Sequence, residues 1–293
     1  MPEGDTIFRT ARTLHRALAG RSVTRFESAY PHVTRVDHDH PLAGRIVESV
    51  TSRGKHVLMA FSGDLILHTH MRMNGSWHIY RLGERWQRPR DHMRVLVATA
   101  DYVAVGFDVP VAELLTAREL ARHSDFQRIG PDLAESSFDR DEAARRIRAR
   151  GADPIHEVLL DQKVMSGIGN VLKSEVLFVS RVNPFDAANA LDDDALKRVI
   201  DAALKLMKLN TADSRSSAVS GRRTTGSLDP SKKLWVYGRG GQPCRRCGET
   251  IQGKKTGSDA RLTYWCPRCQ SSPNSPPQRT RRTQRNQTEL ESL

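Results

Sequence analysis

Pro2 and Glu3 put a secondary amine beside a carboxyl group once Met1 is removed. A free amine attacks electrophilic carbon and forms a covalent imine, and a neighbouring carboxylic acid can deliver a proton. An α-amino group titrates near pH 8, below lysine, so part of it is nucleophilic at neutral pH. A retained Met1 would instead lock the Pro2 nitrogen in an amide. Alone, the pair says little, because Pro and Glu follow Met in many chains. A second group of reactive residues is more specific. The chain's four cysteines, Cys244, Cys247, Cys266 and Cys269, form two Cys-x2-Cys pairs separated by 18 residues. Such pairs suit one tetrahedral Zn2+. A redox pair or an iron–sulfur cluster is the other chemistry this spacing allows. With four thiolate ligands the zinc would be structural, leaving no position for an activated water.

The elements that must position these groups follow from composition and periodicity. The 293 residues imply about two domains. Hydrophobic residues make up 38 % of the chain, and no apolar run approaches the ~20 residues that span a bilayer. The polar, acidic start lacks a secretory pattern. A cytoplasmic location without a membrane partner is expected, nucleoid-associated if the chain is prokaryotic. The net charge of +12 favours a polyanionic partner such as nucleic acid, with general solubility as the bland alternative.

Ile7, Ala11, Leu14 and Leu18 recur at helical spacing before Gly20, predicting a helix over 5–19. Its positive end would lie just behind the Pro2 amine and disfavour protonation there. Six short apolar stretches follow between 46 and 105, divided by turn signals such as Arg53-Gly54 and Asn74-Gly75. They predict an antiparallel sandwich or barrel. Segments 112–122, 139–150, 154–161, 170–179 and 192–209 look helical. The Ser/Thr/Arg/Gly-rich stretch 210–230 suggests a mobile loop. Residues 228–270 carry nine Lys/Arg against three Asp/Glu. The Pro/Ser/Arg/Gln-rich stretch after 270 should be disordered, with Arg279, Arg281, Arg282 and Arg285 available for non-specific DNA contact or simply solvated.

This order of elements, with Met1-Pro2-Glu3-Gly4 in front, resembles the formamidopyrimidine-DNA glycosylase and endonuclease VIII family. The resemblance covers most of residues 1–270. Ser52-Arg53-Gly54-Lys55 is similar to the family's lysine-bearing turn. Asp161 to Asn170, continuing through Glu175 to Pro184, resembles its helix–two-turn–helix. Leu234 to Arg239 and Arg261 to Gln270 are similar to the sequences around its zinc hairpin. The implied fold is α+β and multidomain. An N-terminal helix and antiparallel β-sandwich would occupy 1–115, a linker 116–135, a helix–two-turn–helix domain 136–227, a zinc-finger β-hairpin 228–270, and a basic tail 271–293.

The implied activity is that of a bifunctional DNA glycosylase and abasic-site (AP) lyase of base excision repair, closest to the endonuclease VIII branch and to oxidised pyrimidines. Oxidised-purine excision and non-catalytic binding of damaged DNA are the alternatives. By this resemblance Pro2 is the Schiff-base nucleophile, and Glu3 protonates the sugar ring oxygen. Lys55 reaches the damaged nucleotide's phosphate, and Arg261 clamps phosphates at the hairpin and assists elimination. Asn170, Tyr237 and Arg239 would contact DNA. Met73 would wedge into the hole left by the flipped base while Arg72 bonds the widowed base. Glu175 would brace the motif. Zn2+ is the only implied cofactor. The partner is damaged double-stranded DNA, with single-stranded or bubble DNA as further options, bound by a monomer. The family's second N-terminal glutamate is replaced here by Asp5-Thr6-Ile7. The purine branch's later arginine–phenylalanine wedge is absent from Val103 to Phe107. Arg222 to Gly226 match nothing assignable. His38/His40 and His68/His70 alternate as metal ligands can, but show no third ligand and read as surface or sheet residues.

Overall fold

The computed structural model describes residues 2–212, 221–257 and 259–272. The fate of Met1, the core of the expected mobile loop and nearly all of the expected basic tail therefore lie outside the described residues. Helix α1 (Gly4–Leu18) buries Ile7, Ala11, Leu14 and Leu18 along one stripe, as the spacing predicts. Strand β1 (Arg25–Ser28) and helix α2 (Pro31–Asp39) lead into the sheets. Seven strands follow: β2 (Val47–Arg53), β3 (His56–Phe61), β4 (Leu65–His70), β5 (Ser76–Arg81), β6 (Met93–Ala98), β7 (Tyr102–Phe107) and β8 (Val111–Leu115).

They form two antiparallel four-stranded sheets, ordered β1-β6-β7-β5 and β2-β3-β4-β8. The two-residue side-chain period decides what each face does. Val57, Met59, Phe61 and Leu67 of one sheet share a core with Val95, Val97 and Ala104 of the other and with the α1 stripe. The opposite face of the second sheet buries Leu96, Val103, Val105 and Phe107 under Trp86. Residues 112–115 differ from the helical expectation over 112–122, whose later part is helical, and belong to β8. They pair along β4, with Leu67 opposite Leu114 and His68 opposite Glu113. An edge for β4 to extend outweighs weak local helix preference in so short a segment.

Two short helices, α3 (Ala117–Arg122) and α4 (Ser124–Gln127), occupy the expected linker. Thr116 and Glu119 form a capping box at the first. The helical part comprises α5 (Arg140–Arg148), α6 (Ile155–Val158), α7 (Asn170–Ser180) and α8 (Asp193–Thr211), packed around Ile147, Leu159, Ile168, Leu172 and Leu206. Gln162 closes the turns before α7. Its Nε2 donates to the Leu160 and Ile168 carbonyls at 2.8 and 3.0 Å, while its Oε1 accepts from Gly167 N. Strands β9 (Gln252–Thr256) and β10 (Arg261–Trp265) make the terminal hairpin.

Helix α7 is buried on nearly every side because it joins three parts of the molecule. The Glu175 carboxylate accepts N–H bonds from Trp235, Val236 and Tyr237, each at 2.8 Å, and the Thr224 hydroxyl. It thereby fixes the chain entering the zinc module. It also corrects the expectation of mobility across 210–230. Residues 221–230 are pinned, with Arg223 N donating to Asn210 Oδ1 at 2.7 Å and Thr224 N to the Lys233 carbonyl. Glu175→Ala would strip the acceptor from three amides. A loss of about 3 kcal/mol is expected in urea unfolding, since each orphaned buried donor costs about 1–3 kcal/mol. An unchanged midpoint would show that this carboxylate is not a structural tie.

Candidate active site

The N-terminus is fixed by a carboxylate rather than by an ordinary cap. Glu3 is fully buried. It precedes α1 without capping it through its side chain. Its carboxylate instead accepts from Val171 N at 2.7 Å and Leu172 N at 3.1 Å, the first free amides of α7. A helix N-terminus offers these donors with a favourable dipole. The contact is close enough to require glycine opposite. A Cβ at Gly169 would lie 2.4 Å from the Glu3 side chain, and Gly4 N bonds the Gly167 carbonyl at 2.8 Å. Glu3 thus takes the amides at the start of α7 that a helix terminus otherwise offers to an anion.

Arg222 is the functional-site residue that sequence reasoning left unassigned. Its guanidinium grips the buried Asp5 carboxylate through Nε at 2.7 Å and Nη2 at 2.5 Å, and its Nη1 lies 3.5 Å from Glu3 Oε2. Asp5 stands as a paired structural carboxylate there. The only available signal was an arginine in a segment otherwise without periodicity.

Pro2, Lys55, Arg72, Met73 and Arg261 line one cleft of about 570 Å³, together with His56, His70 and Gly169. Lys55 occupies the two-residue turn between β2 and β3, where Arg53 pairs with His56 and Gly54 takes φ +59°. Asp132 secures that turn by accepting Gly54 N. Burial lowers the Lys55 ammonium to about 8. The Glu3 carboxylate opposes this, while the Arg261 and Arg222 cations reinforce it. Arg261 opens β10 and pairs with Asp259 at 2.8 Å. Arg72 (φ +45°) and Met73 form the β4–β5 turn, and Met73 is 65 % exposed, so it is not core.

The remaining expected residues lie elsewhere. Asn170 is buried behind Gly169 at the start of α7, with Oδ1 unpartnered. Tyr237 packs edge-on against Tyr264, ring centroids 5.2 Å apart. Arg239 is held inside the zinc module by the Trp235 and Pro243 carbonyls and Gln242.

The four cysteine sulfurs lie within 4.8 Å of one another. The Cys247–Cys266 and Cys244–Cys269 sulfurs are 3.5 and 4.0 Å apart. A tetrahedron with Zn–S bonds near 2.3 Å has edges of about 3.8 Å, so the donors fit one zinc ion. Arg246 N and Cys269 N donate to Cys244 and Cys266 sulfurs, each at 3.4 Å, which suits thiolates.

Residues 1–110 match the formamidopyrimidine-DNA glycosylase N-terminal domain, 129–220 the H2TH domain of the same glycosylase, and 241–271 the zinc finger found in FPG and IleRS. The chain is 42 % identical over 276 residues to the "Probable endonuclease 8 2" of Streptomyces coelicolor, covering 93 % of this chain and 95 % of that one. The chain belongs to the formamidopyrimidine-DNA glycosylase family. Membership makes it a base-excision DNA glycosylase with AP lyase activity. It is also 39 % identical over 274 residues to the "DNA-(apurinic or apyrimidinic site) lyase Nei2" of Mycolicibacterium smegmatis, covering 92 % of this chain and 99 % of that one. The Lactococcus lactis family member bound to N7-benzyl-Fapy-dG DNA superposes with a TM-score of 0.78 at 26 % identity, over 92 % of this chain and all of that one. The cysteine cluster is the family's zinc finger, with room for one ion.

If the Lys55 ammonium faces a bound phosphate, its titration gives a pH dependence with a definite sign. The charge is present below a pKa of about 8 and lost above it. Affinity for DNA carrying an uncleavable abasic-site analogue should fall as pH rises from about 7 to 9, and Lys55→Arg should flatten that fall because guanidinium stays charged. An equal fall in both proteins would remove Lys55 as its cause.

Proposed function

We propose that this glycosylase excises oxidised pyrimidines and cuts the strand through a Pro2 imine. One observation carries the reading. Pro2, Lys55 and Arg261 come from distant parts of the chain and meet in a single cleft, with the Glu3 carboxylate buried behind the first of them. A base inside the duplex must be flipped out before its glycosidic bond can be reached. The Pro2 amine, freed of Met1, then attacks the sugar C1′ and displaces the base, which takes a proton from water. The amine's own proton passes to the Glu3 carboxylate, which delivers it to the ring oxygen as the C1′–O4′ bond opens. The iminium that forms is an electron sink. It acidifies the C2′ hydrogen, whose loss expels the 3′ phosphate, and a second elimination releases the 5′ phosphate. Lys55 and Arg261 supply the cationic charge that holds the flanking phosphates. Arg72 and Met73 take the place of the extruded nucleotide. Asn170 reaches a backbone phosphate through its amide N–H2. The zinc module holds Arg261, and zinc takes no part in the chemistry.

The pyrimidine preference rests on the turns. The turn between β7 and β8, residues 108–110, contains no arginine, and Asp108 there accepts from Arg88 at 2.7 Å and His92 at 2.8 Å. The curated relatives named endonuclease 8 are 32–42 % identical to this chain. Side-by-side assay on thymine glycol and 8-oxoguanine duplexes should show preferential cutting of the first. Cutting of the 8-oxoguanine strand alone would reverse the lesion assignment.

Borohydride should trap a covalent complex with abasic DNA, absent in Pro2→Gly. Glu3→Gln should block base excision while sparing most cleavage at a pre-formed abasic site. Loss of both activities together would mean that Glu3 acts only by docking α7. No trapped complex from protein with a verified Pro2 terminus would overturn the imine mechanism.

A further inference from the structure

The outer face of the sheet that carries Lys55 holds a buried chain of polar side chains. His56 and His70 stand opposite each other on β3 and β4, and His68 stands opposite Glu113 on β4 and β8. His56 Nδ1 lies 2.8 Å from His68 Nε2, and His68 Nδ1 lies 2.9 Å from Glu113 Oε2. His123, at the start of α4, places Nε2 3.2 Å from the same Glu113 oxygen. Phe126 covers the face, packing against His56, His68 and His123. His68 is fully buried and His56 nearly so, yet His56 forms part of the active-site cleft wall beside Lys55.

Donor and acceptor accounting fixes every proton in this chain. His123 Nδ1 accepts from Asp125 N, so its Nε2 carries the hydrogen and donates to Glu113. A carboxylate only accepts, so His68 Nδ1 also carries its hydrogen. Burial disfavours a charged His68, which leaves its Nε2 bare to accept from His56 Nδ1. His56 is likewise neutral, through burial and the nearby His70, His68, His123 and Arg53. Its Nε2 is therefore a bare acceptor without a protein donor among the described residues. His70 is kept neutral by burial and holds the same ring nitrogen, Nε2, as a donor rather than an acceptor. Its Nδ1 accepts from Arg72 N, leaving Nε2–H as a donor. The same accounting disfavours a metal among His68, Glu113 and His123, which lie close enough to hold one. The bond from Asp125 keeps the hydrogen on the His123 nitrogen that a metal would need.

We propose that His56, His68 and Glu113 form a one-directional proton relay that drains the cleft during strand cleavage. The inference rests on the imine mechanism above. When the C2′–H bond of the iminium breaks, its electron pair becomes the C1′=C2′ bond and neutralises the Pro2 nitrogen. His56 Nε2 takes the proton and passes its Nδ1 hydrogen to His68 Nε2. His68 passes its own Nδ1 hydrogen to Glu113 Oε2. Both imidazoles end neutral with exchanged tautomers, and the proton rests on a carboxyl group whose side chain is 33 % exposed to water. An imidazolium, which burial opposes, need not persist. The groups facing the relay are Lys55 and Arg53 on the β2–β3 hairpin, His70 and Arg72 from β4 and its turn, and His123 and Asp125 around α4.

Glu113→Gln tests this with the geometry kept, because the amide oxygen can still accept from His68 and His123 but cannot take up a proton. Single-turnover cleavage of abasic DNA should slow by about tenfold or more, in the range of general acid–base effects. The borohydride-trapped fraction should hold or rise, since the imine forms and then waits. A structural defect would lower both together, and that result overturns the relay. So does a wild-type cleavage rate in Glu113→Gln while trapping proceeds normally. No trapped complex in the parent protein fails the imine reading and the relay with it. A second equivalent of zinc, lost in His123→Ala, would show that these donors bind metal and overturn the relay as well.

Discussion

Burying the Glu3 carboxylate against the start of α7 is the constraint on which the rest of the site depends. Without partners, a buried charge of this kind costs several kcal/mol. Here two amides and Arg222 accept that role, and Asp5 balances the arginine. The arrangement stitches the sandwich to the helical domain and to the segment beyond residue 221. It also places Pro2 one residue from a fixed point. Held this way, the nucleophile proposed at Pro2 has lost most of its positional freedom before substrate arrives.

Helix α7 then serves as the beam between that point and the zinc module. Lys173, fully buried, donates to Thr263 Oγ1 at 2.7 Å, and Tyr264 N donates to Ser174 Oγ at 3.3 Å. Glu175 holds the approach to the first cysteine pair. Phe178 packs with Val236, Cys244, Ile251 and Cys266 in the small core around the metal site. The hairpin that carries Arg261 is therefore registered to the same helix that receives Glu3. Zinc contributes by keeping this small core closed, which a module of its size cannot do on hydrophobic burial alone.

The cleft's electrostatics follow from this packing. Lys55, Arg222 and Arg261 gather around the buried Glu3 carboxylate, with Arg222 also paired to Asp5 and Arg261 to Asp259. The depressed Lys55 ammonium reflects burial first, with two neighbouring cations adding to it against Glu3. The histidines behind it stay neutral for the same reason, and neutral imidazoles can both donate and accept.

Much of this was legible in the sequence because it is local. The α1 stripe, the Gly54-Lys55 turn, most strand centres and the cysteine pairs follow from spacing a few residues long. Pro2, Glu3, Lys55 and Arg261 were recognisable from motifs, and Glu175 as a brace. What local pattern could not carry is what each group touches. Only tertiary packing decides that Glu3 occupies the N-terminus of α7, that Arg222 belongs with Asp5, and that Arg239 spends its donors inside the zinc module. It turns 112–115 into a strand, because β4 offers it an edge. It joins His56, His68, Glu113 and His123, which are spread over 68 positions of sequence but sit on one sheet face. Residue types and local spacing set which chemical groups are present and which short elements hold them. Their partners depend on contacts between residues far apart in the chain, and those exist only once the separate cores have packed together.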